Sequence, residues 1–254
     1  MPFLSPNLLA IAHIAADAGR VVMRHYESGC EARTKDDRSP VTDADEEAEK
    51  LILRRLAEHF PGVAVVAEEE MARGGTGTAA SHFFLVDPLD GTREFLSRNG
   101  EFTVNIAEVK DGVPVMGAVY APARNRLFLG ALGEGALEMS GDMSSSHTIR
   151  VRPAPAGGLV AVGSRSHNDE KTAEYLKQFA VKEYVSAGSS LKFCLVAAGE
   201  ADIYARAGRT MEWDTAAGQA VLMAAGGSVS LWDGTPFTYG KPGFENPGFV
   251  ARGK

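Results

Sequence analysis

Apolar positions recur with a helical period near the start of the chain, where Leu8, Leu9, Ile11, Ala12, Ala15, Ala18 and Val22 form one broad stripe. Ser5 followed by Pro6 marks its beginning, because a serine hydroxyl caps free amides and proline suits the first helical position. A polar, turn-rich passage over 27–40 separates this stripe from a second one. The second helix is predicted to open near Thr42 and to carry acidic residues in its first turn, where the helix dipole favours them. It should bury Ala48, Leu51, Ile52 and Leu56 and stop before Pro61. Beyond it the pattern changes to short apolar runs. Residues 63–67 read as a buried strand with Glu68, Glu69 and Glu70 at its end, residues 73–81 as a loop rich in Gly, Thr and Ala, and residues 82–86 as a strand broken by Asp87-Pro88-Leu89-Asp90-Gly91-Thr92. Residues 102–109, 113–120 and 126–131 then predict antiparallel strands joined by turns at Lys110-Asp111-Gly112 and Ala121-Pro122.

Past Arg152 the texture shifts. Pro153, Pro155, Gly157 and Gly158 make a junction, followed by a strand over 159–162, a helix over 168–179, a strand opening at Tyr184, a helix over 190–198, a strand over 202–205 and a helix over 215–225. The expected organisation is therefore a first half, 1–155, with an antiparallel sheet, and a second, α/β half, 156–254. Neither an internal repeat nor a long low-complexity tract interrupts it.

The chain has 254 residues, 44% of them hydrophobic and 23% charged, which suits a soluble globular protein and excludes disordered, collagenous and membrane classes. No apolar run is long enough to cross a bilayer; the first stripe is interrupted by His13, Asp17 and Arg20 and lacks the basic lead of a signal peptide. Cys30 and Cys194 form no CxxC pair and no zinc-ligand spacing, so a reduced, intracellular protein is expected. The net charge of -7 argues against binding a nucleic-acid polymer. A small phosphorylated ligand remains compatible with it if bound metal ions reverse the local field.

Asp87 and Asp90 give that idea a place, because two carboxylates three residues apart at a strand end can face one point. Crowded carboxylates repel unless a proton or a hard cation sits between them, and magnesium prefers oxygen ligands. The Leu89 carbonyl could add a neutral ligand, and the amides of Gly91 and Thr92 would seat a phosphate oxygen. Each feature has a plainer alternative. The Asp87 to Thr92 stretch could be only a turn, Asp214 in Trp213-Asp214-Thr215 only a helix cap, and the triple glutamate only a solvated face. By spacing alone, Asp45 reads best as the acidic partner of a capping box begun by Thr42.

Three segments together carry a family resemblance: Ser39-Pro40-Val41-Thr42-Asp43-Ala44-Asp45, the Asp87 to Thr92 motif extended by Phe95, and Glu212-Trp213-Asp214-Thr215-Ala216-Ala217-Gly218. In order and spacing the chain resembles the inositol monophosphatase superfamily along nearly its whole length. Three further segments, Gly100 to Ile106, Gly188 to Cys194 and Gly163-Ser164-Arg165-Ser166-His167, are most similar to its CysQ-type 3′(2′),5′-bisphosphate nucleotidases.

The resemblance implies a layered αβαβα sandwich and a magnesium-dependent, lithium-sensitive phosphatase that converts adenosine 3′,5′-bisphosphate to AMP and phosphate in the recycling of sulfate-activation by-products. An inositol or sugar phosphate phosphatase with the same metal chemistry is the alternative, and a catalytically silent nucleotide sensor is a third reading. Carried over residue by residue, Glu68, Asp87 and the Leu89 carbonyl would hold one magnesium, and Asp87, Asp90 and Asp214 another. A third, weaker ion would dock near Glu68, and Thr92 and Asp45 would orient and deprotonate the attacking water. Glu68, Leu89, Asp90, Gly91, Thr92, Ser189, Lys192 and Asp214 would surround the substrate. Ala67 stands where the family usually has Gly or Ser, which leaves Glu68 and Glu69 as rivals for the metal-binding glutamate, and Arg38 replaces a smaller polar residue. Lys192, Arg165 and His167 are candidates for substrate discrimination; for Lys192 the plain alternative is a lysine snorkelling beside Phe193. The implied location is the cytoplasm or the inner face of the cytoplasmic membrane.

Overall fold

The computed structural model describes residues 4–29, 32–34, 40–75, 77, 80–164 and 169–254. The Ser5 hydroxyl accepts the Leu8 amide at 3.2 Å and starts helix α1 (Pro6–Ser28), which runs more than a turn beyond Val22. A small hairpin, β1 (Ala32–Thr34) and β2 (Pro40–Thr42), leads into α2 (Asp43–His59), capped by Thr42. Then come β3 (Ala64–Ala67), α3 (Glu68–Ala72), β4 (His82–Asp90), α4 (Thr92–Leu96), β5 (Thr103–Lys110), β6 (Val113–Ala121), β7 (Arg126–Ala131), β8 (Gly135–Met139) and β9 (Ser146–Ile149). These strands form a seven-stranded sheet in the order β3-β4-β5-β6-β7-β8-β9, parallel only between β3 and β4.

The chain then enters a second sheet. Its elements are β10 (Leu159–Gly163), α5 (Glu170–Leu176), β11 (Val181–Ser186), α6 (Leu191–Ala197), β12 (Ile203–Arg206), β13 (Thr210–Met211), α7 (Ala216–Ala224), β14 (Ser228–Leu231), β15 (Glu245–Asn246) and β16 (Phe249–Arg252). The five-stranded order is β11-β10-β12-β16-β14, while β13 and β15 pair separately.

Five layers result. Helices α1 and α2 bury Leu8, Ile11, Ile52 and Leu56 against Phe84, Val104 and Ile106 of the first sheet. Helices α6 and α7 lie between the sheets in a core shared by Phe128, Phe193, Val221 and Phe249. Helix α5 covers the far face of the second sheet, where Tyr175 and Leu176 pack on Ala161, Ile203 and Val250. This is the layered αβαβα sandwich expected from the resemblance. Two glycines let α7 press directly onto the first sheet: a Cβ at Gly117 would meet the Ala217 carbonyl oxygen at 2.6 Å, and one at Gly130 the Val221 Cα at 2.7 Å.

Several boundaries differ from the sequence reading. Strand β4 does not break at Val86 but continues to Asp90 through a register shift against β5, with Asp87 opposite Asn105 and Asp90 opposite Thr103. The irregularity absorbs Pro88, which has no amide to give to a ladder. The glutamate triplet is the first turn of α3 rather than an extended strand end. Tyr184 lies inside β11, Leu51 is only half-buried, and β8, β9, β14 and β16 were not predicted. The predicted start of the fifth helix at Asn168 lies outside the described residues, as do Cys30, Arg38, Ser39, Arg165, Ser166 and His167.

Candidate active site

Parallel pairing of β3 with β4 carries Ala67 and Asp90 toward the same edge of the first sheet. Helices α3, α4, α6 and α7 open at this edge or beside it, so short stretches far apart in sequence meet there. One cleft is lined by Glu68, Asp90, Gly91, Thr92, Ser189, Lys192 and Asp214. Asp87, only 1% exposed, sits behind its wall and shares a hydrogen bond with Glu68. Leu89 is buried too; its amide donates to Asp87 Oδ1 at 3.0 Å and its carbonyl oxygen lies 3.4 Å from the Thr92 hydroxyl. Of the rival glutamates, Glu68 faces the cleft, whereas Glu69 is 2% exposed and its amide donates to Glu49 at 2.7 Å.

The electrostatics of this cluster are unfavourable without a counter-charge. Burial, and then the charges of Glu68, Asp90 and Asp214, push the Asp87 carboxyl well above the usual carboxylate range. Asp214 is pushed well up by burial and by Asp90 and Glu68, although the Met211 amide donates to its Oδ2 at 2.8 Å. Asp90 is raised by burial too, against the opposing pull of Lys192 and the Ser190 donors. Burial lowers Lys192 to about 8.

An all-oxygen donor set of crowded carboxylates, Asp87 buried and Glu68, Asp90 and Asp214 half-buried, with a neutral carbonyl nearby, fits a hard divalent cation such as magnesium. Among the described residues, no three His, Cys, Asp or Glu side chains are already drawn into a metal-holding group. The mutual pKa effects nevertheless place Glu68, Asp87, Asp90 and Asp214 within electrostatic reach of one another. The donors are therefore near one another in kind and in charge, without forming a finished ligand cage.

Asp45 makes the capping box expected from its spacing and also reaches Thr92. Its Oδ2 accepts the Thr42 amide at 2.8 Å and the Thr42 hydroxyl at 2.6 Å, completing the capping box, while its Oδ1 lies 3.3 Å from the Thr92 hydroxyl. Asp214 does not cap α7, since Thr215 holds that position. Lys192 does not snorkel: it is 2% exposed, and its Nζ donates to the Ala187 and Ser189 carbonyls at 3.3 and 2.6 Å and lies over the Tyr204 ring. Ser189 adopts a left-handed backbone, φ 44°, and its hydroxyl donates to the Glu101 carbonyl at 2.9 Å. The next residue, Ser190, turns its hydroxyl inward, to the Asp214 carbonyl at 2.5 Å.

Sequence reasoning missed Arg206, which closes β12 and lines the same cleft within electrostatic reach of Asp214 and Asp90. Its only signal was a basic residue ending an otherwise apolar strand. Arg93 and Ser164 also line the cleft and were not singled out individually as ligand contacts.

Among the described residues, no helix is long and apolar enough to cross a membrane. A profile of the inositol monophosphatase family matches residues 5–248. The chain is 43% identical to the 3′(2′),5′-bisphosphate nucleotidase CysQ of Salmonella typhimurium over 94% of its own length and 96% of the relative's. The same figures hold for the CysQ of Escherichia coli. Among solved structures, CysQ from Bacteroides thetaiotaomicron superposes with a TM-score of 0.84 at 36% identity, covering 99% of this chain and 98% of that one. An inositol monophosphatase from Anabaena superposes with a TM-score of 0.75 at 28% identity, covering 96% and 89%. With its fold, its carboxylate cleft and these likenesses in agreement, the chain belongs to the inositol monophosphatase family.

Proposed function

We propose that this chain is a magnesium-dependent phosphomonoesterase that removes the 3′-phosphate of adenosine 3′,5′-bisphosphate, yielding AMP and phosphate, and acts likewise on the sulfated analogue. The observation that carries this reading is the pairing of two kinds of charge in one cleft. Glu68, Asp90 and Asp214 line it together with Lys192 and Arg206. The carboxylates suit the metals of a reacting phosphate, and the cations suit a second phosphate that is not cleaved. The likeness to CysQ nucleotidases over nearly the whole chain supports the same substrate class.

Glu68, Asp87 and the Leu89 carbonyl would hold one magnesium ion; Asp87, Asp90 and Asp214 would hold another, with a third near Glu68. The ions supply charge neutralisation and a more acidic water when bound. The protein's own groups do the rest. Thr92 orients the attacking water through its hydroxyl oxygen, and Asp45 Oδ1, 3.3 Å from that hydroxyl, receives the proton. Gly91 and Thr92 present amides at the start of α4 to a phosphate oxygen, Ser189 lines the sugar side, and Lys192 contacts the remaining phosphate. Residues 1–155 supply most metal ligands, and 156–254 supply Asp214, Ser189 and Lys192. Lithium inhibition and a cytoplasmic location, with or without attachment to the inner membrane face, belong to the same reading.

The likeness to an inositol monophosphatase favours a second reading, hydrolysis of inositol or sugar phosphates. Phosphate release from a panel of substrates separates the two. We expect adenosine 3′,5′-bisphosphate to exceed inositol 1-phosphate and fructose 1,6-bisphosphate by about tenfold or more in kcat/KM, with turnover abolished by chelation. A reversed order removes the nucleotidase assignment, and turnover unaffected by chelation removes the metal.

A further inference from the structure

Ser190 precedes α6 in the second half of the chain, yet its polar contacts run to the ligand-bearing elements of the cleft. Its amide donates to Asp90 Oδ2 at 2.7 Å. Its hydroxyl oxygen lies 2.5 Å from the Asp214 carbonyl oxygen, 3.1 Å from Asp90 Oδ2 and 2.9 Å from Asn105 Nδ2. Asn105 Nδ2 is also 3.3 Å from Asp90 Oδ2. Ser190 and Asn105 are each only 1% exposed. They join three elements, β4 through Asp90, the turn Glu212–Asp214 through its last carbonyl, and β5 through Asn105.

Proton counting fixes the direction of these bonds. A hydroxyl has one proton, and a carbonyl oxygen can only accept, so the Ser190 proton goes to Asp214 at the shorter distance. The Asn105 amide has two protons, one for the Ser190 oxygen and one for Asp90 Oδ2. The Ser190 amide supplies a further donor to that same carboxylate oxygen. Among the described residues, the hydrogen-bond contacts to Asp90 all converge on Oδ2, and the same residue lines the cleft.

We infer that Ser190 and Asn105 are positioning residues that set the separation and orientation of Asp90 and Asp214, and so set the affinity of the cleft for its divalent cation. The inference rests on the reading of Asp90 and Asp214 as metal carriers. Groups that orient metal ligands from behind typically govern affinity by about ten- to a hundredfold. Deleting the Ser190 hydroxyl takes away the Asp214 carbonyl's donor and leaves the Asp90 amide contact standing. Shortening Asn105 removes its side-chain contacts to Asp90 and Ser190 and leaves the β4–β5 ladder in place.

The test uses Ser190→Ala and Asn105→Ser in the full chain, with two magnesium titrations on each. One follows the rise in Tm and the other phosphate release. The expected result is a magnesium midpoint raised about tenfold or more in both titrations, a metal-free Tm close to the parent's, and recovery of the midpoint by Ser190→Thr, which restores the hydroxyl. A midpoint within about twofold of the parent in either folded variant, whatever its metal-free Tm, overturns the positioning role. Should Ser190→Ala fail to fold, Asn105→Ser carries the test on the same criterion, because it leaves Ser190 whole. A parent protein whose Tm and activity ignore magnesium would instead defeat the underlying metal reading, and the two failures are told apart by the parent's own titration.

Discussion

Asp87 and Asp202 are both aspartates nearly sealed from solvent, 1% and 6% exposed, and their surroundings drive them in opposite directions. Burial and three neighbouring carboxylates push Asp87 well above the usual range. Asp202 is held below it, first by the Arg152 guanidinium, whose Nε and Nη2 donate at 2.8 and 2.9 Å, and then by the Val160 amide at 2.7 Å. The chain meets the charge of Asp202 from within itself. Around Asp87 it gathers more charge of the same sign, an arrangement that by itself costs stability and suits completion by a cation. Buried aspartates in one protein therefore differ in whether their own chain satisfies them.

The largest expected break in that contrast comes from Asp90→Asn. It removes one charge from the cluster at almost constant volume, and kcat/KM should fall about a thousandfold or more, on the order of 4 kcal/mol, with an unchanged far-ultraviolet dichroism spectrum. Near-parental turnover would take Asp90 out of the site. Asp87→Asn sharpens the contrast through stability. Without metal, relief of like-charge repulsion should raise Tm by about 2–4 °C for each kcal/mol gained, while the stabilisation by magnesium should largely vanish. A metal-free Tm lowered by several degrees would mean that the Asp87 charge is satisfied internally after all.

The helices were legible because period and caps agree locally: Ser5-Pro6 starts α1 and Thr42 starts α2. Strands β8, β9, β14 and β16 were not, since runs such as Ser146–Ile149 and Ser228–Leu231 are four residues long and carry too little alternation to stand out. Pro88 misled in a different way, as proline usually ends a ladder, and here a register shift carries β4 past it. The acidic residues of the cleft could be found from compact motifs. Asn105 and Ser190 make contacts between segments distant in sequence, Ser190 reaching Asp90 across 100 positions, and Arg206 comes to the cleft only through the fold. Nothing in the local sequence announces such a contact. Asp45 shows why competing readings need not exclude each other, because one carboxylate oxygen serves the capping box and the other faces Thr92.

Asp202→Asn gives the smallest effect and tests the satisfied side of the comparison. The bidentate Arg152 contact ties the segment before β10 to the start of β12, far from any proposed ligand, so kcat/KM should stay within about twofold of the parent. Hydrogen bonds to charged groups contribute about 1.5–3 kcal/mol, and with the Arg152 side chain 38% exposed the loss should fall at or below the lower end of that range. The pH dependence follows from the direction of the shift. Because the folded carboxyl titrates below the unfolded one, near 3.9, the unfolded chain binds more protons in the interval between them, and the parent loses this increment of stability as pH falls through it. The difference between parent and variant in urea unfolding should therefore be full at pH 7 and shrink as the buffer becomes more acidic than about pH 4. A gap that widens on acidification would reverse the sign and place Asp202 with Asp87 among carboxylates that their own chain leaves unsatisfied.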